Sequence, residues 1–236
     1  ILLVTVSRLS DWMKAESLLR TIDAVRTLGR ELPLRFVIVG DGTARGKLQQ
    51  LADQVNTELR RNAVVLAGPL IDPRPAYSAA DIVVGMGGSA LRGMAFGKPV
   101  IIVGEQAFSG VLDSTTAPSF YYKGIYGLGS GGPSNARLVA DIRRLAENPD
   151  ERLALGLFAR SFVVQHFGLE TVSAQLAALC RRALSDNLRL AARVAGVFDS
   201  HCLPPLQCKG PRPALLFLEN GHVRVLLSFC VRALRP

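Results

Sequence analysis

The sequence predicts an α/β fold, a Rossmann-like doubly wound parallel sheet with helices on both faces. Three observations carry this. Strand-like apolar runs and amphipathic helix-like stretches alternate from residue 1 to about residue 180. The strand runs are apolar throughout, as in strands buried on both faces. Each is followed by a helical stretch, the pattern of βα units joined by right-handed crossovers. In such sheets ligands bind beyond the carboxyl ends of the strands.

The elements follow in order. Leu2–Val6 is a buried strand. Ala15–Leu28 carries Leu18, Leu19, Ile22, Val25 and Leu28 at helical spacing, and Gly29 and Pro33 end it. Leu34–Val39 is the second strand, and Lys47–Leu59 a helix with Leu48, Leu51, Val55 and Leu59 on one face. Val64–Ala67 is a short strand closed by Gly68-Pro69, Pro75–Ala80 a short helix and Asp81–Val84 a fourth strand. Ser89–Phe96 is a helix and Pro99–Val103 the fifth strand. Pro118–Ser134, rich in Gly, Tyr and Ser, reads as a long ordered loop. Ala136–Ala146, Asp150–His166 and Thr171–Leu184 are helices.

This alternation defines one domain over residues 1–185. It stops in residues 186–236, where Pro204-Pro205, Gly210-Pro211 and Pro213 interrupt the chain. That tail is either a small appended region or sequence foreign to the fold, such as a shifted reading frame; we favour the second. The chain starts inside a strand without an initiator Met, as expected of a piece whose upstream part is missing.

Composition narrows the class. At 49% hydrophobic and 20% charged residues, the chain can bury a core and lacks the profile of disorder. No apolar run reaches the roughly 18 residues that cross a bilayer, and no secretory signal is visible. Four cysteines, Cys180, Cys202, Cys208 and Cys230, form no CxxC pair, which suits a reduced, cytoplasmic protein. His201, Cys202 and Cys208 fit no ordinary zinc spacing. The net charge is +9, of which the tail contributes +4 from seven Lys/Arg against three Asp/Glu. No nucleic-acid motif accompanies it. Phosphorylated ligands, or peripheral contact with an anionic membrane surface, fit better.

Several residues at the predicted strand ends bear on chemistry. Arg8 lies just past the first strand and Lys14 at the start of the next helix. Two cations at such a junction can hold a diphosphate, the Arg as a fork and the Lys as a point charge; by spacing alone they equally read as solvated charges. Gly40-Asp41-Gly42 permits a tight turn after the second strand, either structural or near a ligand, and is not a GxGxxG fingerprint. The strongest local signal is Gly85-Met86-Gly87-Gly88-Ser89-Ala90-Leu91-Arg92, where a buried strand runs through a glycine turn into a helix. Free N–H groups of Gly88, Ser89 and Ala90 with the helix dipole would make an anion site that Gly87 helps to shape. Ser89 is a good N-cap, and Arg92, one turn on, could reach a phosphate or sugar. Glu105 follows the fifth strand, where a carboxylate could accept from ribose or sugar hydroxyls; a lone Glu is also an ordinary surface residue. Gly127-Leu128-Gly129-Ser130-Gly131-Gly132 resembles a phosphate loop in composition only, lacking a preceding strand and a GK[ST] ending. His166 reads as a helix-terminal residue.

Taken in order, strand-Ser7-Arg8-Leu9…Lys14, Phe36–Gly42, Leu66-Ala67-Gly68-Pro69-Leu70, Tyr77–Val84 and Leu91–Ile101 resemble the carboxyl-terminal domain of retaining GT-B glycosyltransferases of family four. The resemblance spans about residues 1–180. It implies a domain, of bacterial type, that holds a nucleoside-diphosphate sugar against an upstream acceptor-binding domain, with no cofactor and no divalent metal. Arg8 and Lys14 match the family's phosphate-binding pair, and Gly87–Ala90 its glycine loop at a helix start. The last helix, here near Thr171–Leu184, often crosses back to the other domain. One departure is clear. Two Glu eight positions apart usually mark the family, and Val84 and Arg92 stand there instead, which implies altered donor contacts. A sugar-transferring enzyme, of hexosyltransferase type, is the leading expectation. A nucleotide-sugar epimerase of the same fold, or a non-catalytic nucleotide-sugar-binding module, are the alternatives. The isolated chain is expected to be inactive as a transferase.

Overall fold

A computed structural model describes the backbone of residues 1–200 and the side chains through residue 186. The chain divides into two compact units, Ile1–Ala178 and Leu179–Pro236. In the first, six strands form one sheet: β1 (Leu2–Val6), β2 (Arg35–Val39), β3 (Val64–Gly68), β4 (Ile82–Gly85), β5 (Val100–Val103) and β6 (Ser109–Val111), ordered β3-β2-β1-β4-β5-β6. All neighbours are parallel except β5 and β6.

Alternation along the strands sends side chains to two cores. Leu3, Phe36, Ile38, Ile82, Val84, Ile101 and Val103 join α1 (Ala15–Leu28), α2 (Arg45–Leu59) and α6 (Ala136–Glu147) on one face. Val4, Val83, Val100 and Ile102 join α3 (Arg74–Ala79), α4 (Gly88–Ala95), α5 (Ala117–Lys123) and α7 (Pro149–Phe167) on the other. Burial on both faces explains the unbroken apolar strands. At roughly 1.5–3 kcal/mol for each fully buried large aliphatic or aromatic side chain, these two layers dominate the folding free energy.

The strand order reverses between β1 and β4, which are held by two register pairs, Leu3↔Ile82 and Val4↔Val83. Crossovers from β1 and β4 leave in opposite directions there, so a crevice opens at their carboxyl ends.

The structure corrects the expected elements in four places. The short antiparallel strand β6 follows β5, where no strand was predicted; three residues containing Gly110 carry too little periodicity to be read. The first third of the expected loop Pro118–Ser134, as far as Lys123, belongs to helix α5, with Pro118 in its first turn and Phe120 buried. Ser89 does not cap α4: the helix starts one residue earlier and Gly87 occupies the cap with φ 54° and ψ −131°. The final helix, α8 (Leu169–Ser200), continues past Leu184, because the amphipathic stretch meets no glycine or proline before Gly196. In the second unit the described part is the remainder of this helix. The proline-rich part of the tail, with His201, Cys202 and Cys208, lies outside the described residues.

Candidate anion site at the strand switch point

The loop from β1 to α1 is built against the loop from β2 to α2. Ser7 N–H donates to Val39 O (2.9 Å), Leu9 N–H to Asp41 O (2.8 Å) and Ala44 N–H to Leu9 O (2.8 Å). This backbone ladder needs glycine at residues 40 and 42. A Cβ on Gly40 would sit 1.8 Å from Ser7 O, and one on Gly42 would sit 2.4 Å from Leu9 O. Both also have left-handed φ, 139° and 152°. The turn's tight approach is therefore to the loop carrying Arg8. Asp41 accepts from Gly42 N–H (2.9 Å) and lies 3.7 Å from Arg45.

Arg8 is exposed and Lys14 half-buried at the start of α1. Met13 before it has φ 65°. Ser10 Oγ–H (2.6 Å) and Lys14 N–H (2.8 Å) both donate to Trp12 O, and Ser17 Oγ–H donates to Lys14 O (3.0 Å). Burial, and then the positive charge of Arg8, hold the Lys14 ammonium below the ordinary lysine range. Among the described residues neither cation has an ion-pair partner. A partly desolvated lysine beside an arginine, with no carboxylate paired to it among the described residues, has the chemistry to receive an anion.

The start of α4 supplies the second half. Gly87 N–H is taken by Ile125 O (2.9 Å). The N–H groups of Gly88, Ser89 and Ala90, at the positive end of the helix dipole, have no acceptor among the described residues. The hydroxyl of Tyr77, a fully buried residue, lies 3.4 Å from Ser89 Oγ. Ser7, Lys14, Ser17, Val84, Ser89 and Val103 are among the residues lining one cleft at this point. No carboxylate lines it.

The other expected residues lie around this centre. Arg92 is exposed on α4 and forms no ion pair among the described residues. Glu105 is half-buried, and one oxygen accepts from Tyr126 Oη (2.5 Å); that hydrogen bond is the main cause raising the Tyr126 phenol above its usual range. The glycines of Gly127–Gly132 answer to packing at two positions. A Cβ on Gly127 would meet the Phe108 ring at 2.2 Å, and one on Gly129 would meet Gln106 O at 2.0 Å. His166 lies in the last turn of α7, with its ring centroid 4.8 Å from that of Tyr121 and 4.7 Å from that of Phe162. Two residues escaped the sequence reading. Tyr77 looks like a core aromatic, and Glu16 like an ordinary first-turn acid favoured by the helix dipole. Glu16 instead accepts from Gln106 N–H (3.0 Å) and Ala107 N–H (2.7 Å).

Comparison with known proteins agrees with this architecture. Residues 1–119, just over half of the chain, match the family described as glycosyl transferases group 1. No curated protein matches the sequence. Among solved structures, Anabaena Alr3699/HepE in complex with UDP superposes with TM-score 0.56 at 21% identity, covering 77% of this chain and 48% of that one. A glycosyltransferase from Rickettsia africae gives 0.58 at 16% identity, with 78% and 48% covered. The C-terminal domain of a group 1 glycosyl transferase (LpcC) from Francisella tularensis gives 0.52 at 17% identity, with 71% and 86% covered. The chain thus spans about half the length of the first two proteins and most of the isolated C-terminal domain. With the family match over its first half and the GT-B sheet and helix layers around it, this chain belongs to the glycosyl transferases group 1 family.

Proposed function

We propose that this chain is the donor-binding half of a retaining, family-four type glycosyltransferase, which moves a sugar, a hexose, from a nucleoside diphosphate to an acceptor held by an upstream domain. The observation that carries the reading is the meeting of Lys14 and Ser89 in one cleft, with Arg8 beside Lys14 and the unpaired amides of Gly88, Ser89 and Ala90 at the start of α4. Relatives of this fold crystallised with UDP and with UDP-glucose support the ligand class.

In this reading the diphosphate lies between the two loops. Arg8, Lys14 and the α4 dipole stabilise the negative charge that grows on the departing nucleoside diphosphate. The charge stabilisation calls for no divalent metal. The cleft lacks a carboxylate base, so the acceptor hydroxyl loses its proton to the leaving phosphate or to a group of the upstream domain. Gly40 and Asp41 act by holding the Arg8 loop. Arg92 and the remaining oxygen of Glu105 are the groups left to read the sugar or nucleoside. The reaction belongs in the cytoplasm, where nucleotide sugars are available, with the basic charge suited to a membrane-peripheral acceptor.

The test is a calorimetric titration of the 236-residue chain with UDP, GDP and ADP, and with UMP as a control. One diphosphate should bind at least tenfold more tightly than its monophosphate, and Arg8→Ala should remove that advantage. A folded chain that binds none of them defeats the reading.

A second reading has one observation in its favour. Val84 lines the cleft as an aliphatic wall, and Arg92 is exposed, at the two positions where the family resemblance calls for Glu. A non-catalytic module that binds a nucleotide sugar would need neither acid. Full-length protein that binds donor but neither transfers nor hydrolyses it would establish that alternative.

A further inference from the structure

We infer that Glu16 is a positioning residue of the cleft: its carboxylate straps the loop after β5 to the first turn of α1 and fixes the rim beside Lys14. The ligand in this inference is the one proposed above, so that part rests on the donor-binding reading.

The strap is geometric. Glu16 Oε2 accepts from Gln106 N–H and Oε1 from Ala107 N–H, at 3.0 and 2.7 Å, across 90 and 91 positions of sequence. Both carboxylate oxygens are therefore spent on two consecutive amides. Gln106 and Ala107 have φ 52° and 63°, and neither is glycine. A Cβ disfavours the left-handed region, so two such residues in a row need external support. Successive amides held this way can form a concave nest for an anion, and the Glu16 carboxylate supplies the anion.

The loop is held from its other side as well. Gly129 N–H donates to Glu105 O and Gly131 N–H to Gln106 O, both at 3.0 Å, and Tyr126 holds the Glu105 side chain. Among the described residues, the hydrogen bonds that join this loop to α1 are those of Glu16. In the sheet, β4 lies between β1 and β5. The strap therefore runs from the β1 side to the β5 side past the end of β4, where α4 begins. The cleft there has Lys14 and Ser17 of the α1 start, Ser89 of α4 and Val103 of β5 along its walls.

Charge makes the same point. A carboxylate two positions from Lys14 opposes a bound phosphate and serves the pocket poorly as a free charge. With both oxygens committed to amides, its charge is offset where it lies. A helix-dipole role for Glu16 would require neither loop amide.

Hydrogen exchange and calorimetry on the 236-residue chain test this together. Glu16→Ala should speed exchange of segment 104–108 at least tenfold and weaken the tightest of UDP, GDP and ADP by about tenfold, with the unfolding midpoint nearly unchanged. Glu16→Gln, which offers one carbonyl oxygen to two amides, should recover part of both losses. Unchanged exchange in Glu16→Ala overturns the strap. Faster exchange with undiminished diphosphate affinity overturns the positioning role. A wild-type chain that binds no diphosphate overturns the donor-binding reading and the pocket role with it, while exchange still decides the strap.

Discussion

Two glycine turns at the carboxyl edge of the sheet look alike in composition and are used in opposite ways. After β2, the space a side chain would need at Gly40 and Gly42 is filled by the backbone of Ser7 and Leu9. After β4, nothing lies within 4 Å of a Cβ built on Gly87 or Gly88, and the amides that follow are unpaired. The first turn is filled by the protein itself and the second is open. Glycine at the first serves packing, and glycine at the second keeps a helix end accessible. The difference is in what surrounds the residue, which composition does not report.

The largest effect expected from this contrast is at the filled turn. Gly40→Ala places a methyl 1.8 Å from Ser7 O at φ 139°, and should cost about 3 kcal/mol or more of stability. Urea denaturation checks this; a loss under about 1 kcal/mol would mean that the two loops can separate freely.

Next in size is Lys14→Ala. It removes a charge-assisted contact and should weaken nucleoside-diphosphate binding by roughly ten- to a hundredfold, while the monophosphate changes less. Calorimetry beside thermal unfolding separates binding from folding. Stability should be unchanged or slightly raised, since a desolvated, repelled ammonium is lost.

Gly88→Ala, at the open turn, should leave stability within about 1 kcal/mol of wild type, because the site has room and a helical residue gains from replacing glycine. Its binding effect sharpens the comparison: weaker diphosphate affinity at unchanged stability would show that ligand approaches the backbone there.

The smallest expected effect is on pH dependence. Lys14 has a lowered folded-state pKa, so the folded state holds that proton less well than the unfolded chain. Its charge therefore costs stability below the folded pKa, and the cost is relieved as pH rises from there towards the unfolded value. Anion binding favours the charged form and runs the other way. Diphosphate affinity should fall as pH rises through the lowered pKa, with proton uptake on binding near that pH. A titration series against pH measures it, and Lys14→Arg, which stays charged, should flatten the slope.

The sequence alone determined the strand and helix alternation, the doubly buried sheet and the order of its first five strands along the chain. Apolar runs such as Ile82–Val84 and Val100–Val103 and the α1 periodicity are local signals, and local periodicity follows from the dihedral geometry of strands and helices. It also pointed to Arg8, Lys14 and Gly87–Ala90, because strand ends in such a fold face one edge. Tertiary structure decided the rest. It put β6 antiparallel at the edge, gave the Gly40 and Gly129 turns to packing, drew Lys14 and Ser89 to one cleft, and paired Glu16 with amides about ninety residues away. These depend on which backbone atoms approach across long stretches of sequence. A residue's own neighbours say nothing of such approaches, and nothing near Glu16 in sequence announces the loop after β5 that closes on it.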